Sequence, residues 1–236
     1  MAPWTPFPHA GDYAWDATRV QQQWSQLHLG DAEPLPQDPA VLHAWALFHN
    51  GEFQKAAEAG LAAGGAGITA ANKATAVYAT YLEPREQTRL ALFMQIAERA
   101  QAQAAANAQH ANAWYWNAYA LGRYSQGISV AKALAQGLGG KIRESLEKAI
   151  ALQPTHADAH IALGAFHAEV IDKVGALIGG MTYGAKKDKG LKLFQEALRL
   201  NPSSAIAMIE YANGLVMLEG DRKMREATAL YEKAAA

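Results

Sequence analysis

Apolar positions recur along most of this chain at three- and four-residue spacing, the period of a helix with one buried face. The pattern is written twice in closely similar form. Around Pro154 the chain reads SLEKAIALQPTHADAHIALGAFH, and around Pro202 it reads LFQEALRLNPSSAIAMIEYANGL. In each, an amphipathic helix stops at Gln-Pro or Asn-Pro, and a second helix with small residues on one face starts two or three residues later. Such recurrence marks stacked helical hairpins, each burying the face its neighbour leaves open. Long alternating runs of β-branched residues are absent from the sequence, so no sheet is expected.

The spacing predicts five helix pairs: 39–49 with 52–64, 68–82 with 84–107, 111–124 with 140–152, 156–170 with 187–200, and 204–218 with 222–236. Residues 1–37 read as an irregular arm over the first dozen residues, rich in proline and aromatics, and then a helix over about 13–28. Asp38 is placed to cap the first paired helix and Pro39 to occupy its first turn. Pro84 is expected to open the second helix of pair two. The repeats are divergent over 38–110 and clearer over 111–236. The expected fold is all-α, a right-handed α-α superhelix (a solenoid of about five helix pairs) in one domain over 1–236.

ANAWYWNAYALGRY and ADAHIALGAFH resemble the first helix of a tetratricopeptide repeat, and SLEKAIALQP, LFQEALRLNP and ATALYEKAAA resemble its second. Trp114 and His160 fall at the large position of the first helix. Leu163-Gly164 match its Leu-Gly pair, and Asn117-Ala118 do so loosely. Phe194 and Tyr231 fall at the aromatic of the second helix, and Ala149, Ala197 and Ala234 at its small position. Glycine and alanine there let two backbones approach, and the aromatics fill the wedge between pairs.

Two segments depart from the short turn of that repeat, at about 125–139 and 171–186. SQGISVAKALAQGLGGK and AEVIDKVGALIGGMTYGAKKDKG are glycine-rich and apolar, and they resemble each other. A solvated loop is normally polar, so these inserts are expected to bury against something. Three readings stand: they cover each other and lengthen the core, they wall a pocket or partner site, or they mediate self-association. Under the second, the lining residues are Val130, Leu134, Val174, Leu177, Met181 and Tyr183. With these inserts the chain resembles the tetratricopeptide family that includes T components of tripartite ATP-independent periplasmic transporters. That resemblance implies association with a substrate-binding protein for small organic acids, and oligomers.

Charge is nearly balanced, at −1. Residues 1–110 hold six Lys/Arg against ten Asp/Glu, and residues 111–236 fifteen against twelve. This mild gradient is not a basic footprint, and no nucleic-acid partner is expected. There is no cysteine, which excludes disulfide and thiolate chemistry. No apolar run approaches the ~18 residues of a membrane span. The N-terminus carries no basic stretch followed by an apolar one, so a cytoplasmic address is expected, or a periplasmic one had a signal been removed.

In this repeat the first helices line a concave face. The groove positions are Asn112, Tyr115, Tyr119 and Arg123 in pair three, Asp158, Ile161, Ala165 and Glu169 in pair four, and Ile206, Ile209, Asn213 and Met217 in pair five. Arg123 and Glu169 share a register and are expected to pair. His156, His160 and His167 fall within ~40° on an ideal helix, which makes them candidate metal ligands. Packing explains them better, since two of the three sit at core positions of the repeat, and no metal or other cofactor is expected. GGMTYGAKK has the glycine spacing of a phosphate-binding loop, but Ala185 stands where lysine is needed. No nucleophile–base or paired-carboxylate signature is present in the sequence. The expected function is non-catalytic: a scaffold binding a protein or peptide partner on its concave face. The alternative is an accessory protein binding a small organic ligand beneath the inserts. The C-terminal ALYEKAAA has no capping residue, and a homo-oligomer is a further expectation.

Overall fold

Helices begin where a side chain can receive the free N–H groups of a first turn. The computed structural model describes residues 3–236, and several of its helices start on such a cap, at Asp16, Asp38, Ser129, His156 and Ser204. Asp16 caps α1 (Ala17–Gln22), which gives way at Gln23 to the short α2 (Trp24–Leu27). The continuous helix expected over 13–28 is therefore two pieces. Asp38 accepts from the Ala40 N–H at 2.8 Å and Pro39 opens α3 (Pro39–His49), as the sequence indicates. α4 (Phe53–Ala63) and α5 (Gly67–Tyr81) follow. α6 (Glu86–Ala106) starts two residues after Pro84 rather than at it. The buried Glu83 carboxylate accepts from the Arg85 N–H at 3.0 Å and holds Arg85 extended.

The remaining elements are α7 (Ala111–Gln126), α8 (Val130–Ala135), α9 (Leu138–Leu152), α10 (Ala157–Val174), α11 (Ala176–Tyr183), α12 (Lys187–Leu200), α13 (Ala205–Glu219) and α14 (Met224–Ala235), with one 3-10 turn at Gly220–Lys223. No strand occurs among the described residues. Four of the expected pairs pack as such, α3/α4, α5/α6, α10/α12 and α13/α14, and the helices expected as the third pair are α7 and α9. Both inserts fold as short helices, not loops. Gly175, at φ 81, and Gly184, at φ 64, delimit α11 in a backbone region that other residues rarely enter. Ser129 caps α8 by accepting from the Lys132 N–H at 3.2 Å.

The chain divides into two compact units. The first comprises the residues up to His28 and Glu33–Leu138, the second Leu29–Ala32 and Gly139–Ala236. In unit 1, α3 packs on α4, α4 on α5, α5 on α6 and α6 on α7, while α3, α5 and α7 touch in sequence. This is stacking of tetratricopeptide type. The crossing of α4 and α5 is a glycine contact: a Cβ on Gly60 would stand 2.5 Å from the Gly67 carbonyl oxygen. Val20, Trp24, Val41, Leu42 and Trp45 form a core under the first pair. The arm lies on this unit. Trp4 stacks on Tyr78 with ring centroids 4.1 Å apart, and Trp15 exchanges two backbone–side-chain hydrogen bonds with Asn50, at 2.8 and 2.7 Å. Residues 1 and 2 of the expected arm lie outside the described residues.

In unit 2, α10 packs on α12 and α13, α12 on α13, and α13 on α14. The tetrapeptide Leu29–Ala32 joins this unit through a hydrogen bond from the Asp158 N–H to the Gly30 carbonyl, at 3.0 Å.

Candidate functional site

Unit 2 builds its site from one aromatic held between two glycines. Phe194 of α12 is fully buried. A Cβ on Gly164 of α10 would lie 3.1 Å from its ring, and one on Gly214 of α13 would lie 2.5 Å away. The ring thus draws the two first helices side by side, and Tyr211 stacks on it at 5.4 Å. Ala197, Ala207, Ala212, Leu215 and Ala227 complete this core. Ser204 caps α13 by accepting from the Ala207 N–H at 3.2 Å.

With Met208, Tyr211 and Leu215 turned inward, α13 presents a different row outward. Ile206, Ile209 and Met217 are 40%, 36% and 39% exposed. Together with Asn213 they stand at helical positions i, i+3, i+7 and i+11, a single face. Asn213 accepts from the Tyr231 hydroxyl of α14, so its amide is turned toward the second helix. Of the equivalent row on α10, Ile161 is buried and Asp158, Ala165 and Glu169 are half-buried. Ile161 is buried in the core that contains Phe194 and Tyr211, so it is a packing residue and not part of an open wall. Ala165 packs against the same core, and Glu169 lies 4.0 Å from Lys173, one turn on.

In unit 1 the corresponding residues of α7 are largely packed. Asn112 is buried and donates to the Glu33 carboxylate at 2.6 Å, with His110 3.6 Å from the same carboxylate. Tyr115 is buried against Trp116. Tyr119 is half-buried, and its hydroxyl lies 3.1 Å from the Thr80 hydroxyl of α5. Arg123 sits over the Tyr119 ring, 5.3 Å from its centroid, and donates to Gln126.

The insert residues are placed contrary to expectation. Leu177 and Met181 are 76% and 82% exposed, and Ile178, Val130 and Leu134 are exposed as well. The reason is the face by which α11 docks. Gly179 is buried, and a Cβ there would stand 3.0 Å from Val170. Tyr183 lies over Gly139, and its carbonyl accepts from Arg143 at 2.8 Å. The glycine face turns inward and the leucine–methionine face outward. Val174 and Tyr183 are half-buried.

The three histidines have separate tasks. His156 caps α10, its Nδ1 accepting from the Ala159 N–H at 3.1 Å. His160 Nε2 lies 3.0 Å from the Pro154 carbonyl oxygen. His167 is fully buried and its Nδ1 accepts from the Lys186 N–H at 3.3 Å. Burial, reinforced by the Lys189 charge, pushes its pKa down to about 4. Among the described residues no three His, Asp or Glu side chains gather as a metal-binding group, and no helix is long and apolar enough to cross a membrane.

Residues 69–234, spanning most of both units, match the family described as Regulator of microtubule dynamics protein 1-3. The chain belongs to this family. The match takes in nearly all of the clearer repeats and most of pair two, including the α13 row of this Regulator of microtubule dynamics protein 1-3 family member. No curated protein matches the sequence. Among solved structures, a human IFIT1 dimer with m7Gppp-AAAA is similar at a TM-score of 0.46 and 14% identity, over 92% of this chain and 55% of that one. The chain thus spans little more than half the length of that protein.

Proposed function

We propose that the protein is a non-catalytic scaffold that binds a segment of a partner protein along the outward face of α13. The observation that carries this reading is the exposed row of Ile206, Ile209 and Met217 on a first helix whose opposite face is fully packed. An apolar row at i, i+3 and i+11 suits a helix or extended segment laid along it. The family description makes cytoskeletal polymers and their subunits the partner class to test first. The alternative, a small-ligand accessory protein with its pocket beneath the inserts, is less well supported, because Leu177 and Met181 turn outward.

The test is a double variant, Ile209→Asp with Met217→Asp, compared with the wild type in binding to purified tubulin and in affinity capture from the host. Both positions are exposed, so the helical spectrum is expected to be unchanged. A specific partner retained by the wild type is expected to be lost from the variant. Equal retention by both proteins would remove α13 as the binding face.

A further inference from the structure

The interface between α5 and α6 carries a strip of polar groups that the chain leaves without partners. Two side-chain hydrogen bonds fix the register of this antiparallel pair. Gln103 donates to the Thr69 hydroxyl at 3.0 Å, and Arg99 donates through Nη2 to the Thr75 hydroxyl at 3.2 Å. Thr75 in turn donates to the Ala71 carbonyl at 2.7 Å. Asn72 lies between these anchors and is fully buried. Neither its amide nitrogen nor its oxygen has a partner among the described residues, and the same holds for Gln103 Oε1 and Arg99 Nε. An unsatisfied buried polar atom costs about 1–3 kcal/mol, so one such strip asks for an explanation.

Arg99 is the most demanding member. Its side chain is half-buried with Nε fully so, and no carboxylate among the described residues lies within ion-pair distance. Burial lowers its pKa with no neighbouring charge to offset the effect. A cationic group in that position is stabilised by an anion brought to it.

A cavity of about 20 Å³ opens beside Arg99 and Thr75, walled by Trp4, Ala57, Leu61 and Leu92. It holds one water-sized group. Trp4 is fixed there by its stack on Tyr78 and by its N–H, which donates to Gln54 at 2.8 Å. Leu61 is 36% exposed and leads outward. Glu58 also lines the space, with its carboxylate accepting from Gln54 at 3.0 Å.

We infer that Arg99 and this cavity form a subsite for a single carboxylate carried on an apolar stem. The planar guanidinium edge matches the two oxygens of a carboxylate. The cavity admits a single oxygen of such a group, and the rest would run out past Leu61 between apolar walls. The subsite is separate from the α13 face. The carboxylate belongs either to a free short-chain acid or to the terminus of a polypeptide.

Calorimetric titration of the full chain separates these sources. The probes are 3-methylbutanoate and its amide, and a short peptide ending in leucine with a free or an amidated C-terminus. A carboxylate form is expected to bind saturably, with roughly tenfold or greater loss for its amide and in Arg99→Gln. Saturation by 3-methylbutanoate assigns the free acid; saturation by the free-ended peptide alone assigns a polypeptide terminus. Should Arg99→Gln lose its helical spectrum, Leu61→Glu at the exposed mouth is expected to show the same loss while folded. Absence of saturable binding by either carboxylate, survival of binding in the folded variants, or a crystal structure pairing Glu58 with Arg99 would overturn the assignment.

Discussion

At the scale of single residues, unit 2 depends on how closely Phe194 approaches Gly164 and Gly214. Its ring already stands 3.1 Å from where a Gly164 Cβ would be. Gly164→Leu is expected to overpack this contact and cost roughly 1–3 kcal/mol, read as a lower midpoint in urea. An unchanged midpoint would mean the ring does not sit there. His167 gives a second residue-scale prediction. Unfolded, its imidazole takes up a proton near 6.5; folded, near 4. Between these values the unfolded chain binds more protons, so this contribution to stability is whole above about 6.5 and is lost as pH falls through about 4. Melting followed over that window should show a shallower pH slope in His167→Gln than in the wild type, and identical slopes would contradict the assignment. Gly164 was legible as half of a Leu-Gly pair. Arg99 carried a fainter signal: it follows Leu92 and Ile96 at core spacing on α6, where a charged residue is out of place.

At the scale of elements, the helix pairs were legible because proline stops, caps and helical period agree along the chain. Asp38 caps α3 and Ser204 caps α13. The inserts were legible as exceptions but not in their orientation. An apolar, glycine-rich stretch announces that one side is buried without saying which. In α11 the choice is made by shape: Gly179 fits against Val170 and Gly139 admits the Tyr183 ring. The larger side chains then have nowhere to go but out. Leu177→Ser combined with Met181→Ser is therefore expected to change stability by no more than about 0.5 kcal/mol. A loss of several kcal/mol on thermal or urea unfolding would place those side chains in a core instead.

At the scale of the molecule, a repeat architecture offers the same register position several times and fills it differently each time. Ile161 and Ile209 occupy equivalent positions on first helices, and periodicity alone makes both groove residues. Ile161 is closed into the core that holds Phe194 and Tyr211, whereas Ile209 stands open. Sequence reasoning located the α13 row because its spacing survives burial of the opposite face. It could not separate open from closed positions on α7 and α10, since that depends on neighbouring helices. The central claim, that α13 is the binding face, is tested most directly by a photo-crosslinking amino acid placed at Ile209, with a control at the exposed Lys192 of α12. Irradiation in the host is expected to give a discrete adduct with one partner from position 209 and none from position 192. The same adduct from both positions, or adducts only from position 192, would contradict the account.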